Sequence, residues 1–298
     1  MRKPILGSDP KKTSFYAQYT LFIRRCSGLI TSEVEKMMIS ETVKDYAAMS
    51  SVGAAIIFAD AMRSLSKGER YNLGLATGNT MITLYAELAD KFNRAKVDLS
   101  LLSTWNLDEY SADGKAAIPH DHPLSYWKYM REMLFSKLDP ALGFNEGNAH
   151  FPDPDAPDAY DAAIAAAGGI DLQLLGIGFN GHIAFNEPMR EDEISVKDFA
   201  ALPTRVLPLA KETIAQNTAV TAGGDASLVP RYAATMGMAP ILAAKKCLLL
   251  ACFKEQTAPL KAIFARGGEP TPCLPASYLW RHPDFRLVYT VDKITLED

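Results

Sequence analysis

The chain has 298 residues, of which 48% are hydrophobic and 22% charged, and its formal net charge at pH 7 is −4. This composition is typical of a soluble globular protein with one large α/β domain or two smaller ones. The weak negative charge argues against nucleic acid or an anionic membrane surface as a partner.

Helices and strands alternate in the predicted order of elements. Residues 1–37 show weak periodicity and are interpreted as an N-terminal extension, and residues 38–298 as a single α/β domain. The predicted elements are a helix over 40–67, a strand over 71–76, a helix over 81–92, a strand over 99–107, helices over 123–138 and 156–167, strands over 170–175 and 246–253, a helix over 256–266 and a strand over 285–291. This alternation predicts a Rossmann-like, largely parallel sheet with helices on both faces.

The cysteines and the start of the chain predict a cytoplasmic protein. None of the cysteines shows metal-ligand spacing, and Cys247 and Cys252 lie in an apolar, strand-like run that predicts buried, reduced thiols. No apolar stretch looks long enough to span a bilayer, and the start of the chain lacks the apolar region of a signal peptide. We therefore expect no membrane partner.

The glycine-rich segment Gly176–Glu187, which follows a predicted strand, carries the strongest chemical signal. Its glycines permit tight turns and close approach of the backbone to a ligand. Pro188 favours an extended conformation at Glu187, which places this carboxylate on a loop. His182 and Glu187 form a predicted proton-transfer unit, and Asn180 can hydrogen-bond the ring or a ligand. The alternative is an ordinary loop with a structural histidine.

Two further polar clusters follow predicted strands. Thr77–Thr80 lies between a strand and a helix, where amides and hydroxyls can bind an anion; the alternative is N-capping by Thr77 or Asn79. Asp108 and Glu109 follow the next strand, and a carboxylate there could take a proton from carbon next to a carbonyl, or simply cap a helix. Because ligands of such sheets bind outside the carboxyl ends of the strands, the three clusters predict one crevice.

Other site patterns are absent or weak. No Gly-Lys-Ser/Thr follows Thr77–Thr80, which disfavours a Walker A nucleotide site, and the absence of Gly-x-Ser-x-Gly gives no support to acyl-enzyme hydrolysis. His120, Asp121 and His122 could ligate a divalent ion, but a helix cap is the favoured interpretation. We predict no metal and no cofactor.

Taken together, six segments resemble the glucosamine-6-phosphate deaminase (isomerase) family, within the wider group that includes 6-phosphogluconolactonases. They occur in family order and are Leu73–Thr80, Trp105–Tyr110, His122–Tyr126, Leu175–Pro188, Val229–Ala233 and Leu274–Ser277. The run Asn180–Pro188 is the most specific, and it favours deaminases over lactonases.

The resemblance implies conversion of glucosamine 6-phosphate and water to fructose 6-phosphate and ammonia, without a redox or metal cofactor. It implies that Asp108 is the base that moves a proton between C2 and C1 of the opened sugar. His182 would assist opening of the pyranose ring, with Asn180 and Glu187 as its partners.

The resemblance also implies a substrate and phosphate site. Its predicted residues are Thr77, Gly78, Asn79, Thr80, Gly181 and Arg231. Arg231 stands where the family usually carries lysine. The family arginine that contacts the phosphate has no counterpart in this chain, where the corresponding stretch begins Ala215-Gln-Asn-Thr218.

Three alternatives stay open beside this function. The chain could be a deaminase or isomerase for another sugar phosphate, such as galactosamine 6-phosphate. It could be a 6-phosphogluconolactonase-like hydrolase in which His182 activates water, or a sugar-phosphate sensor without turnover. In each case the expected partner is a small sugar phosphate, and a homo-oligomer is the favoured assembly.

Overall fold

The computed structural model describes residues 39–296, so the predicted extension over residues 1–37 and Cys26 lie outside the described range. The strands are β1 (Ile39–Val43), β2 (Tyr71–Leu75), β3 (Leu102–Asn106), β4 (Asp108–Ser111), β5 (Ala149–His150), β6 (Leu172–Gly176), β7 (Arg205–Pro208), β8 (Tyr232–Thr235), β9 (Cys247–Ala251) and β10 (Phe285–Thr290). The α-helices are α1 (Tyr46–Leu65), α2 (Ile82–Ala95), α3 (Tyr126–Met133), α4 (Pro157–Ala166), α5 (Val196–Ala200), α6 (Lys211–Val220), α7 (Met238–Leu242) and α8 (Thr257–Ala265).

The larger sheet has the strand order β1-β10-β9-β6-β2-β3-β5, and all its pairings are parallel. Every residue of β2, β3 and β9 is buried, as expected for strands that are covered on both faces. Cys247, the first residue of β9, and Cys252, the residue after its end, are buried free thiols. The predicted parallel sheet and the predicted buried thiols are confirmed.

The connections of this sheet run in two directions. The chain passes from β2 through α2 to β3 in one direction, and from β5 through α4 to β6 in the other. Because such crossovers are right-handed, the two helices lie on opposite faces of the sheet. The neighbours β2 and β6 therefore flank a topological switch point, and ligands of such sheets bind there, outside the carboxyl ends of the strands.

Helix α1 differs from the prediction in two ways. The helix was predicted to begin at residue 40, but Ile39–Val43, which is rich in β-branched residues, forms edge strand β1. The helix begins at Tyr46, and Asp45 caps it by accepting from the amide of Ala48 at 2.8 Å. By length and composition alone α1 could also cross a membrane, which was not predicted from the sequence. One face of the helix is buried against α2 and the sheet, and at Gly53 a Cβ would lie 2.7 Å from Leu84 Cδ1.

A second, smaller sheet was not predicted. It is antiparallel with the order β4-β8-β7, and its strands are only four residues long. Such short strands leave too little alternation to be recognised in a sequence. The helix predicted over 123–138 is also shorter, because Ser125 caps α3 and the chain leaves helical geometry at Leu134, before a 3-10 turn.

Candidate active site

The three polar clusters lie at the carboxyl ends of neighbouring strands, as predicted. Thr77–Thr80 follows β2, Gly176–Glu187 spans the end of β6 and the loop after it, and Asp108 begins β4 directly after β3. The neighbours β2 and β6 are the strands at the switch point, and β3 pairs with β2 on its other side. The fold thus brings the predicted loops to one edge of the sheet.

His182 and Glu187 lie within ion-pair distance, and both carboxylate oxygens of Glu187 also accept hydrogen bonds from other side chains. The Nδ1 atom of His182 lies 3.4 Å from Oε2 of Glu187. The Asn180 side-chain amide donates to the same oxygen at 2.8 Å, and the Thr213 hydroxyl donates to Oε1 at 2.5 Å. Burial alone raises the pKa of Glu187, but His182 and the two hydrogen bonds outweigh it and hold the pKa at about 2. Glu187 therefore stays ionised beside the imidazole.

Glycine is required where the backbone passes the imidazole. A Cβ on Gly178 would lie 2.2 Å from ring atoms of His182, and one on Gly181, at a φ of +86°, would lie 2.3 Å from Leu274 Cδ1. The amide of Gly181 donates to the Gly178 carbonyl, and the amide of Gly178 to the His182 carbonyl, both at 3.0 Å. The loop is thus closed tightly around the ring.

The spacing of Gly176, Gly178 and Gly181 also matches the Gly-x-Gly-x-x-Gly pattern of dinucleotide-binding loops. That pattern opens directly into a helix whose N-terminus faces a pyrophosphate. Here the segment continues in turns through residues 179–187, and the next helix, α5, begins only at Val196. The His182 ring occupies the space beside Gly178, so the glycines serve the imidazole in this fold.

Asp108 is a buried carboxyl whose pKa lies close to neutrality. Burial raises the pKa, while the Thr235 hydroxyl, the charge of His182 and the Phe185 amide lower it, and the charge of Glu109 raises it further, which gives about 7. Its Oδ1 atom has no well-formed hydrogen bond within residues 39–296. A carboxyl with this pKa can both accept and return a proton at physiological pH.

Glu109, the neighbour of Asp108, has a structural task. Its carboxylate accepts from the backbone amides of Tyr110, Tyr126 and Trp127 at 2.8–3.0 Å and from the Ser125 hydroxyl at 3.2 Å. It therefore caps the N-terminus of α3. Helix capping was the alternative role considered for Asp108 and Glu109. It is the role of Glu109, whereas Asp108 interacts with the charge of His182.

The segment Thr77–Thr80 is a loop that enters α2 through a 3-10 turn. The N-cap positions of the turn and of α2 are Gly78 and Met81, and neither has a side-chain cap. The alternative in which Thr77 or Asn79 caps the helix is therefore wrong. Gly78 adopts a φ of +115°, which favours glycine.

Tyrosines hold this loop from outside. The Tyr129 hydroxyl donates to the Gly78 carbonyl at 2.7 Å, and the Tyr46 hydroxyl donates to the Asn79 carbonyl at 3.0 Å. With the carbonyls engaged by tyrosines, the loop is fixed in place before a ligand arrives. The structure is thus compatible with an anion site at this loop.

A chain of polar side chains joins the loop to helix α6. The Thr77 hydroxyl contacts the Tyr126 hydroxyl, which hydrogen-bonds Tyr110 at 3.1 Å. The Asn217 amide donates to the Tyr110 hydroxyl at 2.7 Å. Asn217 and Thr213 are four residues apart on one face of α6, so this helix contacts both the tyrosines and Glu187.

The contribution of α6 was not predicted from the sequence. Tyr110 and Tyr126 were not predicted as site residues either, although both lie inside segments that resemble the family. For Thr213 and Asn217 the only sequence signal is their spacing of four residues on one helix face, and that spacing is common in helices.

Arg231, which was predicted to bind the phosphate, is exposed. It lines a depression of about 670 Å³ with Lys211, Ile214 and Thr218 of α6, and the lining includes neither Thr77–Thr80 nor His182. Arg231 and Lys211 are both cationic, so this depression attracts anions.

The two histidines considered as metal ligands have other roles. The His120 ring stacks on Trp127 at 4.1 Å between centroids, and Nδ1 of His122 accepts from the amide of Leu124 at 3.1 Å. Residues 39–296 contain no group of three or more His, Cys, Asp or Glu side chains that could hold a metal ion. These positions therefore give no support to a metal site.

Comparison with known proteins agrees with this geometry. The family model described as "Glucosamine-6-phosphate isomerases/6-phosphogluconolactonase" matches residues 44–193. A glucosamine-6-phosphate deaminase of Alkaliphilus oremlandii is 38% identical over 262 residues, covering 86% of this chain and 98% of its own length. One of Lysinibacillus sphaericus is 35% identical over 253 residues, covering 83% of this chain and 96% of its own.

Solved structures show the same fold. A monomeric glucosamine-6-phosphate deaminase superimposes with a TM-score of 0.73 at 28% identity and covers 87% of this chain and 100% of its own. A 6-phosphogluconolactonase of Thermotoga maritima superimposes with a TM-score of 0.62 at 19% identity over 85% of this chain and 99% of its own, which is a likeness of fold alone. The chain belongs to the family of glucosamine-6-phosphate isomerases and 6-phosphogluconolactonases.

Proposed function

We propose that the protein is a glucosamine-6-phosphate deaminase, which converts glucosamine 6-phosphate and water to fructose 6-phosphate and ammonia. The observation that carries the proposal is the pair of proton-transfer groups in one crevice. Glu187 has a pKa of about 2 and keeps the imidazole of His182 oriented, while Asp108 has a pKa of about 7. Two carboxyl groups with such different pKa values suit two different proton transfers.

The first transfer opens the pyranose ring. The hydroxyl on C1 loses a proton, the ring oxygen gains one, and the bond between C1 and the ring oxygen breaks to leave an aldehyde. His182 is the group that relays this proton, and the ionised Glu187 stabilises the imidazolium that forms. Asn180 holds Glu187 in position through its amide.

The second transfer moves a proton along the opened sugar. Asp108, in its ionised form, takes the proton from C2 and delivers it to C1, while the aldehyde oxygen gains the proton that the substrate ammonium loses, so C1 becomes an alcohol carbon and C2 an iminium. Water then adds to C2, and ammonia leaves to give the ketone. The pKa of about 7 lies near the working pH, which suits a group that must both accept and return a proton.

The substrate phosphate is assigned to the segment Thr77–Thr80, with Gly181 and Arg231 at the rim of the site. The support is the carboxyl-end position of this segment at the switch point and its position at the start of α2.

The proposal extends to the setting of the enzyme. Residues 38–298 act as one catalytic domain in the cytoplasm, and the partner is the sugar phosphate alone, with no nucleic acid and no membrane. A homo-oligomer is the favoured assembly, which light scattering of the purified chain would measure.

The deciding experiment measures the release of ammonia and ketose phosphate from glucosamine 6-phosphate, beside galactosamine 6-phosphate and 6-phosphogluconolactone. Turnover of the glucosamine compound alone supports the proposal. Turnover of only galactosamine 6-phosphate keeps the chemistry and changes the sugar. Hydrolysis of the lactone alone, or binding of the sugar phosphates without turnover, refutes deamination and favours the hydrolase or the sensor.

A further inference from the structure

Thr235 lies directly opposite Asp108 in the small sheet. Strands β4 and β8 are antiparallel, and Asp108 and Thr235 are register partners. Side chains of such partners share one face of the sheet, with their Cβ atoms about 5 Å apart. Thr235 is completely buried and Asp108 is 7% exposed, so water has little access to the contact between them.

The backbone of the catalytic loop orients the Thr235 hydroxyl. The amide of Phe185 donates to Oγ1 of Thr235 at 3.0 Å. The residue before it, Ala184, adopts a left-handed φ of +53°. A hydroxyl whose oxygen already accepts a hydrogen bond keeps its own hydrogen for donation, and the adjacent acceptor is the carboxylate of Asp108.

We propose that Thr235 is a positioning residue for Asp108, whose hydroxyl, oriented by the Phe185 amide, donates to the carboxylate and favours its ionised form. The inference rests on the proposed function, in which ionised Asp108 takes the proton from C2. A hydrogen bond to the charged form of an acid stabilises that form, and the effect is larger where water is excluded.

The other groups that face Asp108 include some that raise its pKa and some that lower it. Burial raises its pKa most, Thr235 lowers it, the charge of His182 lowers it and the charge of Glu109 raises it. Three tyrosines also interact with it electrostatically, and desolvation raises their own pKa values so that they stay neutral: Tyr110, Tyr126 and Tyr160. Thr235 is therefore the group on β8 that lowers the pKa of Asp108.

The test is the pH dependence of kcat/KM in Thr235→Val, which has nearly the same shape but no hydroxyl. The acid limb, which reports ionisation of Asp108, should move to higher pH by about one unit, a loss of about tenfold in rate below the limb. Thr235→Ser restores the hydroxyl and should restore the limb. Thr290→Val, a fully buried threonine on β10 that is not part of the site, is the matched control and should leave the limb in place.

An unmoved acid limb in an active, folded Thr235→Val protein overturns the inference. If that variant does not fold, Thr235→Ala is measured instead, with the same expectation. A wild-type protein that releases no ammonia refutes the proposed function and not the role of Thr235. In that event the pH above which the stabilisation by Asp108→Asn levels off, which is set by the pKa of Asp108 in the folded state, is compared with and without Thr235→Val. A rise of about one unit supports the inference, and no change overturns it.

Discussion

Nδ1 of His182 lies 3.4 Å from Oε2 of Glu187, and the other oxygen of this carboxylate is held by Thr213 from helix α6. Asp108, the other carboxyl of the crevice, is buried beside Thr235 and has no comparable set of donors. The two acids therefore differ in pKa by environment, about 2 against about 7. One remains a permanent anion, and the other can exchange a proton with substrate.

Asp108→Asn should abolish turnover while ligand binding stays largely intact. The amide cannot take the C2 proton, and general acid–base catalysis typically contributes about 10²–10⁴-fold in rate. Ammonia release measures turnover, and calorimetric titration with the sugar phosphate measures binding. Activity close to that of the wild type would show that another group is the base.

The same variant should be more stable than the wild type at alkaline pH. The pKa of Asp108 is raised from an ordinary 3.8 to about 7 in the fold, so below pH 3.8 the carboxyl is protonated in both the folded and unfolded states. Between pH 3.8 and about 7 the carboxyl ionises in the unfolded state but stays protonated in the folded state, so stability falls over this range and levels off above pH 7. Each pKa unit corresponds to about 1.4 kcal/mol, so the gain above pH 8 should be a few kcal/mol.

Urea unfolding of Asp108→Asn and of the wild type at pH 4 and pH 8 checks this prediction. The difference in the free energy of unfolding should be small at pH 4 and favour the variant at pH 8. A difference that is independent of pH would contradict the assignment of a raised pKa to Asp108.

Gly178→Ala should inactivate the site without unfolding the protein. The added Cβ would lie 2.2 Å from the His182 ring, so the ring must leave its position beside Glu187. We expect a loss in kcat of at least about tenfold, because a small misplacement of a catalytic group is costly. Gly147→Ala, which places its Cβ 3.2 Å from the Asn145 side chain in a surface turn, is the control and should retain activity.

Thr213→Val should lower kcat by about 10–100-fold, since a hydrogen bond to a charged group is typically worth about 1.5–3 kcal/mol. The substitution removes the donor to Oε1 of Glu187 and leaves the Asn180 contact in place. Thr213→Ser keeps the hydroxyl and should retain most of the activity. Equal rates in the valine and serine variants would mean that this hydrogen bond does not serve catalysis.

Arg231→Ala should raise KM strongly for phosphorylated sugars, because the proposed function assigns Arg231 to the substrate phosphate. Lys211→Ala removes the other cation of the same depression and should have a smaller effect. Steady-state kinetics at two salt concentrations measures both, since a phosphate contact weakens with added salt. An unchanged KM in Arg231→Ala would mean that the Thr77–Thr80 loop binds the phosphate without it.

Much of the parallel sheet could be predicted from the sequence, because its cause is local. The apolar strand Cys247–Ala251 and the strand that begins at Tyr71 are continuous buried runs, and the glycines after Leu175 mark the turn into the loop. Local signals were weaker at Ile39–Val43, where a short edge strand was taken for the start of a helix.

What only the tertiary structure decided was the surroundings of each acid. Asp108 pairs with Thr235, which lies 127 residues later in the chain. Glu187 accepts a hydrogen bond from Thr213, which lies on a helix whose sequence carries no recognisable site motif. The sequence placed a histidine and carboxylates at strand ends because residue type and spacing are local properties. Their pKa values, and the division of labour between Asp108 and Glu109, depend on burial and on donors from distant segments, which arise only when the two sheets and α6 pack together.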